Sequence, residues 1–195
     1  MESIIGFFGN RWNEVMRYLH DDFSNSTPQE KTQYANNVRQ ICATAGAMVA
    51  PQPIPIADIW LITPIQYLMV RAIGNIYGYR ISESSIGEIF AVIGGGITGQ
   101  QLCLFLFKIG MPGLGGLAGA GFVFAWTQGI GHAAEAYFKS GMTMSGKGLA
   151  EICEQAVAAA IEIEIGKKVK TKLIKTGKKV KTKLKGLLGL VTSTL

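Results

Sequence analysis

The chain has 195 residues, of which 48% are hydrophobic and only 16% charged, with 25 glycines and a net charge of +6. That length suits one domain plus appendages, and the charged share falls below the usual quarter. A mean hydropathy of +0.26 lies between soluble domains and multi-span transporters. The charge is segregated. All 13 acidic residues and nine of the 19 basic ones precede Gly166, a net of −4, while the remainder holds ten lysines and no acid. Such a tail calls for an anionic partner. Three distant cysteines, Cys42, Cys103 and Cys153, make neither a disulfide framework nor a metal-binding pair, and their apolar surroundings point to buried thiols in a reducing compartment. The first residues lack a basic stretch, so no cleaved signal peptide is expected.

Residues 3–20 follow helical spacing, with Ile4, Ile5, Phe8, Trp12, Val15, Met16 and Leu19 on one side and Arg11, Asn13, Glu14 and Arg17 opposite. This amphipathic helix suits a bilayer interface or a protein face equally. Asp21–Ser26 is a polar break. Thr27-Pro28-Gln29-Glu30 has the form of a capping box with proline at the first helical position. It predicts a helix to about Val49, with Tyr34, Val38, Ile41, Ala45 and Met48 inward. Prolines 51, 53 and 55 predict an extended connector over 51–57. Thr63-Pro64 then opens a helix through about Ile76, with Gly78 stopping it.

Ser82 is the next expected cap. Ile86–Phe107 carries a single charge, Glu88, and Gly113–Ala134 carries none, with Met111-Pro112-Gly113 as the break between them. Each segment is long enough to cross a hydrocarbon core of about 30 Å. Gly95 and Gly99, and Gly115 and Gly119, are spaced four apart, which lets helix backbones approach closely and marks these four as helix-packing and self-association residues. Gln100, Gln101 and Gln128 fit a buried hairpin better than a lipid-facing one. The hairpin over 86–134 therefore either spans lipid or is buried in protein. Ser145 caps a last alanine-rich helix over 147–165.

Residues 166–173 recur identically at 177–184, an eleven-residue period close to that of a straight helix. Val169, Leu173, Val180, Leu184 and Leu188 then share a narrow apolar face flanked by Lys167, Lys168, Lys170, Lys172, Lys175, Lys178, Lys179, Lys181, Lys183 and Lys185. These lysines are the expected lipid-binding residues on an anionic membrane. Nucleic acid would call for arginine and stacking aromatics, and the tail has neither.

Other motifs carry little chemistry. Gly94-Gly95-Gly96-Ile97-Thr98-Gly99 fits a dinucleotide fingerprint, but it lies inside an apolar helical run with no acid between Glu88 and Glu135. Gly141–Gly148 nearly matches a phosphate-binding loop, with glycine in place of the metal-binding hydroxyl residue. His20 and His132 have no metal-ligand spacing. No paired acid, base or nucleophile is visible, so neither enzymatic activity nor a cofactor or metal is expected.

The run Pro53-Ile-Pro-Ile-Ala-Asp58-Ile-Trp-Leu-Ile-Thr-Pro64-Ile-Gln66, followed by Ile76-Tyr77-Gly78, Gly94-Gly95-Gly96, Lys108, Met111-Pro112-Gly113 and Thr127-Gln-Gly129-Ile-Gly131 to Tyr137-Phe138, resembles a GTPase-associated bacterial domain of unknown function. That family is similar to the YcjF-like membrane proteins, and the resemblance covers about residues 40–140. It implies a helical, membrane-linked module acting with a GTPase, which here is a separate partner.

The expected fold is an all-α helical bundle with a glycine-rich apolar hairpin and amphipathic terminal helices. Residues 1–26 form an N-terminal helix, 27–140 a GTPase-associated-like core, 141–165 a further helix and 166–195 the lysine tail. The expected function is a homo-oligomeric protein that scaffolds, shapes or perforates a membrane at the cytoplasmic face of the bacterial inner membrane. The alternative is a soluble GTPase-binding adaptor held to acidic membrane by its tail alone.

Overall fold

A computed structural model describes residues 2–49, 57–94 and 117–163. Its described residues form helices and no strand. The helices are α1 (Glu2–His20), α2 (Pro28–Val49), α3 (Ala57–Ile76), α4 (Ile86–Gly94), α5 (Leu117–Lys139) and α6 (residues 146–163). The fold is all-α, as expected. The chain divides into two compact units, Met1–Ala160 and Ile161–Leu195, and the architecture below is that of the first.

The capping box forms as the sequence predicts. Thr27 N donates to Glu30 Oε2 at 2.8 Å, and Glu30 N donates to Thr27 Oγ1 at 3.2 Å. Each pairing satisfies a group that a helix start leaves bare. Past this start α2 becomes the central helix. Val38, Ile41, Cys42, Ala43 and Ala45 are all buried, a band wider than the single inward stripe expected. The extra burial arises because α2 meets α3 and α5 as well as α1.

Side-chain contacts fix the directions of the core helices. Gly46 lies against Val123 and Thr127, Arg39 against Gly131 and Glu135, and Thr32 against Lys139, so α2 and α5 run antiparallel. Gln66 bonds Thr127, Met69 meets Gly131 and Gly74 meets Phe138, so α3 and α5 run parallel. The C-terminal end of α1 is tied to α3 by Asn75, whose Nδ2 donates to the carbonyls of Tyr18 at 3.0 Å and Asp21 at 2.9 Å. Tyr18, Phe23 and Tyr34 pack their rings beneath that corner, which gives this half of α1 a protein face.

Two local expectations are corrected. Helix α3 does not begin at Pro64. It begins at Ala57 and contains Pro64, so residue 57 does not belong to the connector. Proline there forfeits one backbone hydrogen bond, and burial of Ile65, Met69, Val70 and Ile73 offsets the loss, since tertiary packing overrides propensity. The cap of α4 is Ser85 rather than Ser82: Ser85 O accepts from Ile89 N, while Ser82 closes the preceding turn by accepting from Ser85 N. The expected caps at Gly78 and Ser145 are in place. Gly78 has φ of +90°, and Ser145 accepts from Gly148 N and Leu149 N.

Of the apolar hairpin, residues 95–116 lie outside the described residues. Helix α5 continues beyond Ala134 to Lys139 and takes in Glu135. Among the described residues no helix is long and apolar enough to cross a membrane.

Candidate functional site

The last two turns of α5 carry Glu135 and Lys139, four residues apart and therefore on one helix face. Glu135 is 5% exposed and is paired with Arg39 of α2, itself 3% exposed. The close approach depends on Gly131. A Cβ there would lie 2.5 Å from Arg39 Cγ and 2.7 Å from its Cδ, so the arginine stem uses the space a side chain would fill. The other Glu135 oxygen accepts from Tyr77 Oη at 2.8 Å and Lys139 Nζ at 2.7 Å. Lys139 also donates to Thr32 Oγ1 at 3.0 Å, which closes a network across α2, α3 and α5.

Burial pushes the Glu135 carboxyl up, but the lysine, arginine and tyrosine outweigh it and hold its pKa below the usual value. Partial burial works against the Lys139 ammonium, yet the Glu135 carboxylate prevails and raises its pKa. For Tyr77, burial and then the nearby carboxylate raise the phenol. His132 is pushed down by burial and by the charge of Arg39, so its imidazole is neutral at pH 7. The Cys42 and Cys153 thiols are driven by burial up to about 12. Lys139 and both thiols thus keep their protons at neutral pH. What the network offers at its exposed edge is positive charge and hydroxyl groups.

That edge opens into a groove of about 690 Å³, where the start of α2 meets the ends of α3 and α5. Both helices stop in the same way. Gly78 N donates to Asn75 O and Tyr79 N to Gly74 O; Gly141 N donates to Phe138 O and Met142 N to Tyr137 O. This paired pattern is the Schellman cap, which needs the left-handed backbone seen at Gly78 and at Gly141, φ +71°. The Gly78 cap turns the chain so that Tyr79 stacks on Phe138 with centroids 5.5 Å apart. Gly74 makes room, since a Cβ there would meet Phe138 Cζ at 3.2 Å and Ile81 Cδ1 at 2.6 Å. Lys31, Thr32, Tyr77 and Lys139 line the rest, with Ser26, Pro28 and Gln29 at the α2 end.

The structure does not gather the residues singled out by sequence into this site. Gly95, Gly99 and Gly115, and every tail lysine from Lys167 to Lys185, lie outside the described residues, while Gly119 falls in the first turn of α5. Close helix packing by glycine is present at other positions. A Cβ on Gly129 would meet Val157 Cγ2 at 2.5 Å, Cys153 Sγ at 2.8 Å and Cys153 O at 2.9 Å, so α6 rests almost directly on the α5 backbone. The network itself escaped sequence reading. Its signal was the placement of Arg39 among the apolar positions of α2 and the i,i+4 spacing of Glu135 and Lys139.

No curated protein and no solved structure matches the chain. A family model described as a domain of unknown function, DUF697, matches residues 17–160, a wider span than the one that carries the sequence resemblance. It covers α2 through α5 whole, including the network and the groove, and so the chain belongs to the DUF697 family.

Proposed function

We propose that this chain is a helical adaptor, held on anionic membrane by its lysine tail, that offers its bundle to a separate protein partner. The family resemblance makes a GTPase the expected partner. One observation favours this reading over a spanning hairpin: the described part of the second apolar segment is engaged by protein. Ala125, Thr127, Gln128, Ile130, Ala133 and Ala134 are buried, and Thr127 accepts a hydrogen bond from buried Gln66 of α3. A polar pair bonded across helices, and a charged network two turns later, are what a helix in the middle of a bundle requires. Attachment then falls to the tail, where each lysine near an acidic leaflet contributes about 1 kcal/mol. The cytoplasmic leaflet is the anionic one that attracts such polybasic segments, so the proposed site of action is the cytoplasmic face of the inner membrane.

Flotation of the full chain and of a 1–165 truncation with anionic liposomes tests this. The full chain should float, be stripped by high salt and fail to float with zwitterionic vesicles, while the truncation stays in solution. A truncation that floats and resists a carbonate wash would sink the adaptor reading. It would leave a membrane-inserted, self-assembling scaffold as the function.

A further inference from the structure

We infer that the groove at the start of α2 is a docking site for a short acidic segment of a partner protein, one that sets a carboxylate side chain beside an apolar anchor. The inference rests on the adaptor reading and names the site and chemistry through which that docking occurs. Three features converge. The volume of about 690 Å³ falls within the range of roughly 300–1,000 Å³ usual for ligand sites. Its wall includes the half-buried Tyr79 ring, held in place by stacking on the buried Phe138, an apolar face fit for an aromatic or aliphatic side chain. Its charge is one-sided: Lys31 and Lys139 line it and no acidic side chain does.

The two lysines differ in a way that suits docking. Lys139 is anchored by Glu135 and Thr32 yet has a side chain 46% exposed, so it is a preorganised cation with donor capacity to spare. The carboxylate behind it is shared with Arg39, and Arg39, Lys139 and Lys31 together outweigh Glu135 and the Asp22 carboxylate that interacts with Lys31. Lys31 makes no ion pair or hydrogen bond through its ammonium among the described residues; the exposed Asp22 carboxylate feels its charge without pairing with it, which leaves the ammonium able to close on an incoming anion. Thr32 and Tyr77 add hydroxyls beside it. A lipid headgroup would use the cations but leave the ring stack without an occupant. A peptide uses both.

The test is fluorescence anisotropy of a labelled synthetic octapeptide alternating aspartate with phenylalanine, against its asparagine counterpart. It is run at physiological salt on the full chain and on a chain with all ten tail lysines changed to glutamine, which keeps the tail from masquerading as the site. The acidic peptide should bind both chains and prefer both over its asparagine counterpart. Lys31→Glu should weaken binding by at least about tenfold, because a like charge replaces a complementary one, while Lys31→Arg should retain it. Lys31 carries no structural contact of its ammonium, so an unchanged helical spectrum is expected for both variants. Equal binding of the asparagine peptide would overturn the inference. So would loss of binding in the glutamine-tail chain with no effect of Lys31→Glu, or displacement of the peptide by inorganic phosphate or anionic vesicles from the glutamine-tail chain. Flotation of the 1–165 truncation is the separate sign that the adaptor reading has failed; a soluble truncation with no peptide binding removes this site alone.

Discussion

Helix α5 is held to its neighbours by opposite means at two places less than two turns apart. At Gly129 it meets α6 through the absence of a side chain, with Cys153 and Val157 occupying the space where a Cβ would be. At Glu135 it meets α2 and α3 through charge, with Arg39, Tyr77 and Lys139 converging on one carboxylate. The first contact depends on shape, is indifferent to salt, and feels pH only where the buried Cys153 thiol would ionise in the unfolded chain, above about 8.5. The second tolerates small changes of shape but fails if any charged member is removed, because burial leaves the others no water to turn to.

The largest expected effect comes from breaking the charged contact. Glu135→Ala leaves Arg39 buried and unpaired, with an Nε that already has no partner among the described residues. Removing one member of a buried pair typically costs about 3–5 kcal/mol. Urea unfolding should show a loss of that order, and a loss below about 1 kcal/mol would mean the pair is not desolvated as described. Adding Arg39→Met to Glu135→Ala should recover much of the loss, since the unpaired charge goes with it.

Breaking the shape contact should cost less, and its sign is diagnostic. Gly129→Ala gains up to about 1 kcal/mol of helix propensity, but its Cβ would meet a backbone carbonyl as well as two side chains, and a backbone cannot rotate away. A net loss of about 1–3 kcal/mol is expected. Gly87→Ala in α4 is the matched control. A Cβ there meets nothing within 4 Å, so only the propensity gain remains and the variant should be slightly more stable than the parent. Thermal melts of the two variants should move in opposite directions; movement in the same direction would refute the packing account of Gly129.

The two contacts also differ in how far the sequence disclosed them. Features set within one turn of chain were legible: the Thr27–Glu30 capping box, the Gly78 stop and the Ser145 cap all form where local rules put them. The principle that small residues carry helix packing was legible too. Which glycines serve was not, because Gly129 and Gly131 are defined by Cys153, Val157 and Arg39, residues as much as 92 positions away. Pro64 misled for the same reason: a local start signal was overridden by the burial of α3 on both α2 and α5. The groove was least legible, since it exists only where one helix start and two helix ends meet.

The pH dependence should separate the contacts most finely. Glu135 has a lowered pKa in the fold, so its contribution is complete above the unfolded value of about 4.3 and is lost as pH falls through the folded value. His132 is also lowered, so the folded state disfavours its proton and stability begins to fall as pH drops below about 6.5. Lys139 is raised, so its contribution is complete below the unfolded value of about 10.4 and is lost as pH rises through the folded one. Buried Cys42 and Cys153 are raised too, so their contribution starts to be lost above the unfolded thiol value of about 8.5. Stability should therefore hold a plateau from about pH 7 to 8.5 and fall on both sides. In Glu135→Ala the alkaline fall above about pH 10 should become shallower, because the carboxylate that raises Lys139 is gone, whereas the part from the buried thiols and the limb below about pH 6.5 from His132 should persist. Gly129→Ala should lower the whole curve and leave its shape alone. If both variants keep the parent's shape, Lys139 does not draw its stability from Glu135, and the distinction between a packed contact and a charged one along α5 falls with it.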